Sequence, residues 1–344
     1  MKGLTIAVLY GGKSTEHKVS VHSAADVCKE LKKSYKVLPV LIGENGKWFL
    51  QKQCGERTKN GIEIFPLLDG NLQDKKGKVY KVSLFFPVLH GTFGEDGCVQ
   101  GLFETAGAKY IGCKVLASAL AMNKELSKQL SQSVNIPVLP WFSLYKTDKL
   151  NKREIFKKAK ALGYPVFVKP SSLGSSIGIT KVNKERELLT AIQFAFSFEN
   201  HILIEKGLDK AREVFCGIIE TKPNIFQASA CGELIKTDSE FFDYETKYNN
   251  PHGCDMTIPA KLPKKLQDKL KDYTKKFFTV LGGNGLARID FLISHDGKKA
   301  YFSEINTMPG MSRSSLYPNL LKADKINYKK LLDILIETAL REDK

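Results

Sequence analysis

At 344 residues, with 42% hydrophobic and 26% charged content, the chain exceeds one small core and has the composition of a soluble enzyme of two or three domains. The net charge of +16 invites a nucleic-acid reading. The lysines instead gather on the solvated faces of amphipathic helical stretches at Asn151–Lys160 and Lys264–Lys276, with no nucleic-acid motif beside them, so no nucleic-acid partner is expected.

The seven cysteines show no CxxC pair. Reduced, buried thiols, Cys98 and Cys113 among them, are expected in a cytoplasmic protein. No apolar run is long enough to span a membrane, so no membrane association is expected.

Near-continuous apolar runs at Ile6–Tyr10, Val37–Ile42 and Leu84–Leu89 predict strands buried on both faces of a parallel sheet. Val99, Leu102, Phe103 and Ala106 predict a helix closed by Gly107. Residues 44–82 carry Gly, Asn, Asp and Lys clusters around weak strands, a decorated excursion within an α/β domain spanning 1–112.

A second unit, 113–205, reads as helix (Leu116 to Gln132), strand (Trp141–Tyr145), helix (Lys149–Leu162) and strand (Pro165–Lys169). After a Gly/Ser loop come strand (Ile179–Val182), helix (Lys184–Phe198) and strand (Ile202–Glu205). A third unit, 206–344, holds a strand at Glu213–Ile219, an aperiodic stretch over 236–257, a helix from Pro263 to Leu281 and a hairpin. A long aperiodic stretch in a compact domain suggests a functional lid.

In that hairpin, RIDFLISHDGKKAYFSEIN, Arg288 and Asp290 share one face of a strand, as do Glu304 and Asn306. A loop of odd length around Asp296-Gly297-Lys298 would set Asp290 opposite Glu304 and Arg288 opposite Asn306. Two carboxylates and one amide oxygen, without His or Cys, suit Mg2+ or Mn2+ better than zinc. Taken alone, the pair of strands also fits a solvated, charged hairpin. The loop 171–178 follows Lys169 with glycines and hydroxyls that can approach phosphate oxygens. Its lysine precedes the glycines, so it is not a Walker A loop, and alone it fits an ordinary turn equally well.

Taken together, GGKSTEHKVS (11–20), HGTFGEDG (90–97), Lys124, KPSSLGSSIG (169–178), Glu205-Lys206, Glu213, DYETKY (243–248), RIDF and EINTMPGM resemble the ATP-grasp ligases. Within these the chain resembles the D-alanine–D-alanine ligase family, over essentially its whole length and in the same order. The resemblance implies a three-domain α/β ATP-grasp ligase that joins two D-alanine molecules through an acyl phosphate for peptidoglycan synthesis. ATP, two Mg2+ or Mn2+ ions, a homodimer and a cytoplasmic location come with it.

It further implies that Lys124 and Lys169 neutralise ATP phosphates under the 171–178 loop. Glu205, Lys206 and Leu208 would hold adenine, and Glu213 the ribose. Lys247 belongs with the nucleotide-binding residues. Asp290, Glu304 and Asn306 would carry the metal ions. Glu16 would orient the ammonium of the first D-alanine, with His90 near its carboxylate. Arg288 and the Gly310 backbone N–H would form the oxyanion site, while Ser315 and Leu316 would bind the second D-alanine. Tyr248, Ser175 and Glu16 would form a hydrogen-bonded triad that closes the site.

Read individually, His90 also fits a structural histidine, and Glu16 a cap on the helix it enters. Phe242 stands where many relatives carry tyrosine, which removes a hydroxyl contact to the nucleotide. Two other readings compete: a ligase taking D-lactate as its second substrate, which Tyr248 argues against, and a non-catalytic ATP- or nucleic-acid-binding protein, which the intact metal set argues against.

Overall fold

A computed structural model describes residues 3–56, 61–147, 151–236 and 254–341. Three sheets organise them. In the first, β1 (Thr5–Gly11) pairs in parallel with β2 (Lys36–Ile42) and β7 (Leu84–Leu89), as the apolar runs predict. The 44–82 excursion extends the same sheet. Strands β3 (Trp48–Leu50), β4 (Ile62–Pro66), β5 (Leu72–Asp74) and β6 (Val79–Tyr80) continue it as an antiparallel meander, giving seven strands. Helices α1 (His17–Leu31) and α2 (Cys98–Thr105) follow β1 and β7. Phe103 of α2 stacks on Phe85 in the core of one face, while Ala24, Val27 and Leu31 of α1 enter the core of the other.

The predicted 116–132 helix is two helices, α3 (Val115–Met122) and α4 (Lys124–Ser133). Asn123 breaks it: its backbone is extended and its side chain accepts from Leu126 N at 3.0 Å, an N-cap that restarts the helix. The second sheet is antiparallel, in the order β10 (Thr180–Val182), β9 (Val166–Pro170), β11 (His201–Lys206), β8 (Trp141–Tyr145). It packs on α5 (Lys152–Leu162) and α6 (Leu188–Ala195) around Ile155, Ala159 and Ile192.

The third sheet runs β14 (Cys254–Thr257), β13 (Ile225–Lys236), β12 (Arg212–Lys222), β15 (Leu286–Ile293), β16 (Ala300–Asn306), all antiparallel. Strands β13 and β14 and the helices α8 (Leu316–Ala323) and α9 (Tyr328–Arg341) add to the elements read from sequence; β14 corrects the end of the 236–257 stretch expected to be aperiodic, where backbone pairing with β13 makes a strand. Leu331, Leu332, Leu335 and Ile336 of α9 bury in a core shared with β1, β7 and α1, which joins the chain's last helix to its first sheet. Helix α7 (Lys264–Val280) packs on the opposite face through Leu270, Phe277 and Phe278. Residues Cys113, Ala117 and Ile136 also enter that core, so the segment before the second sheet packs on the third.

The cysteine expectation needs correcting at two points. Cys28 and Cys54 form a disulfide with Cα atoms 6.5 Å apart, because the segment after β3 folds back beside α1 and Gly55 bonds the Tyr10 hydroxyl. Cys98 is exposed on the outer side of α2, while Cys113, Cys216 and Cys231 are buried thiols outside that disulfide. No helix among the described residues is long and apolar enough to cross a membrane.

Candidate active site

The platform on β15 and β16 has the predicted pairs but a different origin. Arg288 lies opposite Asn306, and Asp290 opposite Glu304. However, Ile293 pairs with Ala300, so Ser294 through Lys299 form a loop of even length, contrary to the odd loop expected. A bulge restores the register: Phe291 pairs with Phe302 and Asp290 with Glu304, leaving Ser303 as the extra residue. The strands then divide cleanly. Ile289, Phe291, Phe302 and Ile305 bury in the core, and the polar residues share the other face.

On that face Arg288 donates twice to Asp290, Nε to Oδ1 at 2.7 Å and Nη2 to Oδ2 at 2.8 Å. Asn306 Nδ2 donates to Asp290 Oδ2 at 3.3 Å. Burial opposes the Arg288 charge, but Asp290 and Glu304 outweigh it and raise its pKa, so the guanidinium stays charged. Among the described residues no group of three or more His, Cys, Asp or Glu side chains is placed to hold a metal. The two carboxylates and the amide of Asp290, Glu304 and Asn306 are oxygen donors of the kind that suits a hard cation such as Mg2+, with further oxygens drawn from phosphate and water. They do not fit zinc.

Lysines face this platform. Lys124 opens α4, where the N-cap sets its direction, and its Nζ bonds Leu173 O in the 171–178 loop. Burial lowers its pKa; Glu304 partly offsets this, while Lys169 and Lys128 add to it. Lys169 on β9 pairs with Leu203 of β11, which places it diagonal to Glu205 on the same face. Lys169 Nζ binds Glu205 Oε2, and Lys128 Nζ binds Oε1 of the same carboxylate. Burial alone would raise the Glu205 carboxyl, but the two lysines overrule it and draw it down to about 2. Breaking a buried pair by removing one partner typically costs about 3–5 kcal/mol, so two cations on one carboxylate leave it paired if either withdraws.

The loop after Lys169 returns to the N-terminal domain. Ser175, at φ +52°, donates its hydroxyl to Glu16 Oε1. Glu16 occupies the N-cap position of α1 but makes no capping bond, so the capping alternative falls away. Its position is fixed from below: Ser14 Oγ donates to His90 O at 2.6 Å and accepts from Glu16 N at 3.2 Å. Gly91, at φ +70°, leaves the space that Glu16 uses, since a Cβ there would stand 2.8 Å from Glu16 Oε2.

His90 is buried, and burial lowers its pKa. Its Nδ1 lies 2.9 Å from Met308 O, and its Nε2 is buried without a hydrogen-bond partner. A neutral ring donating from Nδ1 leaves Nε2 as an acceptor. Glu95 lies within the 90–97 motif, and the resemblance assigns it no role. Its Oε2 accepts from Gly91 N at 2.8 Å and its Oε1 from Met308 N at 3.0 Å, tying the two loops together. Burial and the nearby Glu16 push its carboxyl up to about 8.

The remaining residues take their places around this centre. Gly310 and Ser315 are neighbours: a Cβ on Gly310 would come within 2.9 Å of Ser315 Oγ. Ser315 Oγ accepts from Ser312 N at 3.1 Å and contacts Ser312 Oγ at 2.7 Å, and Leu316 begins α8. Exposed Lys206 ends β11, its N–H donating to Pro140 O at 2.9 Å. Leu208, half-buried, follows two residues later. Glu213 lies on β12 between Leu234 and Leu292. Lys247, Tyr248 and Phe242 lie outside the described residues. A cavity of about 30 Å³ lies between Glu95, Lys124, Gly174, Glu304 and Asn306, so elements from all three sheets border one small space.

Comparison with known proteins agrees over the whole length. Residues 5–113 match the family model for the D-ala D-ala ligase N-terminus, and residues 130–337 that for the D-ala D-ala ligase C-terminus. The D-alanine--D-alanine ligase of Caldicellulosiruptor bescii is 37% identical over 358 residues, covering 100% of this chain and 97% of that one. The solved VanG D-Ala:D-Ser ligase from Enterococcus faecalis is 31% identical with a TM-score of 0.86, covering 98% of this chain and 100% of that one. The D-alanine-D-alanine ligase from Coxiella burnetii is 28% identical with a TM-score of 0.87, covering 99% of this chain and 94% of that one. Platform, lysine cluster and full-length likeness converge: the chain belongs to the D-alanine–D-alanine ligase family of ATP-dependent ligases.

Proposed function

We propose that the protein joins two D-alanine molecules at the expense of ATP, through a D-alanyl phosphate, for peptidoglycan synthesis. The observation that carries this is the bond between Ser175 and Glu16, which brings the glycine- and serine-rich loop onto an N-terminal carboxylate beside the Arg288–Asn306 platform. Glu16 orients the ammonium of the first D-alanine. Its carboxylate is a poor electrophile until it attacks the γ-phosphoryl group, a step that depends on positioning and charge neutralisation. Lys124 and Lys169 supply cationic charge there, beneath the 171–178 loop. Glu205, Lys206 and Leu208 serve the adenine and Glu213 the ribose, and Lys247 belongs with these nucleotide-binding residues.

Asp290, Glu304 and Asn306 hold two divalent ions, which when bound screen the phosphate oxygens. Arg288 and the Gly310 N–H receive the oxyanion formed when the second amine attacks. His90 lies beside the carboxylate of the first substrate, and Ser315 and Leu316 receive that of the second. The 236–257 segment serves to exclude the water that would hydrolyse the acyl phosphate, a role in which Tyr248 would act with Ser175 and Glu16. We place the enzyme in the cytoplasm as a homodimer of three-domain chains, divided near residues 112 and 205.

D-Serine is the competing second substrate, since the structurally similar VanG protein is a D-Ala:D-Ser ligase. The test is release of ADP and phosphate on adding D-alanine, followed by competition among D-alanine, D-serine and D-lactate with products weighed by mass spectrometry. Dominant D-alanyl-D-alanine supports the reading. No ADP release with any pair, or a dominant mixed product, overturns it.

A further inference from the structure

Helix α4 buries a polar face: Lys124, Ser127, Lys128 and Ser131 all turn inward, spaced three and four apart. Lys128 has no place in the chemistry above, yet its side chain is only 2% exposed and its Nζ rests on Glu205 Oε1. The ring of Trp141 lies 6.0 Å from that Nζ. The other lysine on Glu205 is placed differently. Lys169 has a side chain 15% exposed, and Pro170 after it leads directly into the 171–178 loop. One carboxylate thus carries two cations, one sealed in and one at the mouth of the site.

We propose that Lys128 is a positioning residue, the permanent counter-ion of Glu205, which frees Lys169 to move from that carboxylate onto the phosphates of ATP. The proposal rests on the ATP-dependent reading above. Without Lys128, the buried carboxylate would have Lys169 as its remaining cation, and nucleotide binding would have to strand a buried negative charge. With Lys128 in place, Lys169 is aligned beside the loop while empty and released when phosphate arrives. Two simpler roles compete: a brace that only supports the fold, and a positive charge that attracts phosphate from a distance.

Four proteins separate these roles: wild type, Lys128→Met, Glu205→Gln and the double variant, assayed for binding of a non-hydrolysable ATP analogue and for the KM of D-alanine. Lys128→Met should weaken nucleotide binding about tenfold or more and leave the D-alanine KM within about twofold. In the Glu205→Gln background the same substitution should cost less than about twofold, because no buried carboxylate then competes for Lys169. Equal losses in both backgrounds mark a distant charge, and parallel losses for both substrates mark a brace. Either result, or unchanged nucleotide binding in folded Lys128→Met, overturns the proposal.

If Lys128→Met does not fold, a crystal structure of the wild type with the analogue decides. Lys169 Nζ should contact a phosphate oxygen while Lys128 Nζ remains on Glu205. Lys169 still on Glu205, or Lys128 displaced from it, refutes the exchange. Failure of the wild type to bind the analogue removes the ATP-dependent reading and this proposal together; normal binding with an adverse result removes the proposal alone.

Discussion

The Arg288–Asn306 platform comes from one hairpin, whereas the cluster around Glu205 is assembled from α4, β9 and β11. In the platform, backbone pairing sets which side chains meet, so a polar group can be altered while the frame stays hydrogen-bonded. In the cluster, the ions hold one another: Glu205 is 2% exposed and depends on Lys128 and Lys169 for its charge. Variants of the platform should therefore lose chemistry and keep the fold. Variants of the cluster should lose some of both.

The sharpest test of this contrast is Asp290→Asn and Glu304→Ala. Each should lower turnover by at least about a thousandfold at saturating Mg2+, since each removes one carboxylate of the proposed metal platform. Asn keeps an amide oxygen for Arg288, and Glu304 remains near it, so the melting temperature of Asp290→Asn should fall by only a few degrees. Near wild-type turnover in a folded variant would rule out the metal role. A collapse of the fold would show the platform to be as interdependent as the cluster.

Ser175→Ala should have a smaller effect, because it cuts a tie between loops and leaves both regions intact. We expect kcat/KM for D-alanine to fall roughly 10- to 100-fold with nucleotide affinity nearly unchanged, the mark of lost positioning. Isothermal titration beside steady-state kinetics measures both. Equal loss of nucleotide affinity would mean that the loop, and not its bond to Glu16, is what Ser175 supports.

The same contrast explains how much was legible in the sequence. Period-two spacing placed Arg288, Asp290, Glu304 and Asn306 on one face because a strand alternates whatever surrounds it. Loop parity misled, since Ser303 bulges by adopting a local backbone that composition does not announce. The cluster was only half legible. Lys169 and Glu205 stood in recognisable motifs, but Lys128 on a helix reads as solvated, and only its tertiary surroundings bury it. Glu95 is similar: its motif was visible, but its meaning lies in a bond to Met308, 213 residues away. Asn123 could have been found, because an N-cap residue followed by a lysine- and serine-rich turn is a local signal for a new helix. The Cys28–Cys54 pairing could not, since it depends on how the segment after β3 folds back.

Acceptor choice belongs to neither region and should respond more gently. Tyr248→Phe should shift the ratio of kcat/KM for D-alanine to that for D-lactate several-fold toward lactate, by disturbing the network that favours an amine over a hydroxyl. Competition between the two at pH 6 and pH 8 reads this, because the amine must lose its proton before it attacks whereas the hydroxyl need not. An unchanged product ratio at both values would remove Tyr248 from the control of specificity.

The smallest effect concerns Glu95, which links the platform end at Met308 to the N-terminal loop at Gly91. Its carboxyl is pushed up to about 8 by burial and by Glu16, from an ordinary value of 4.5. Between those values the folded protein holds a proton that the unfolded chain has released, so this group's contribution to stability is complete below the lower value. It is lost as pH rises toward the upper one. Glu95→Gln cannot titrate and should lack this slope. The melting temperature of the wild type minus that of Glu95→Gln should thus decline by a few degrees between about pH 5 and pH 8.5. Comparing the two proteins cancels the other titrating groups. A flat difference would show that Glu95 stays ionised in the fold, with its two backbone donors outweighing burial. Arg288 and the backbone would then be judged the stronger influences on that carboxylate, and the link between loops would be a charged one.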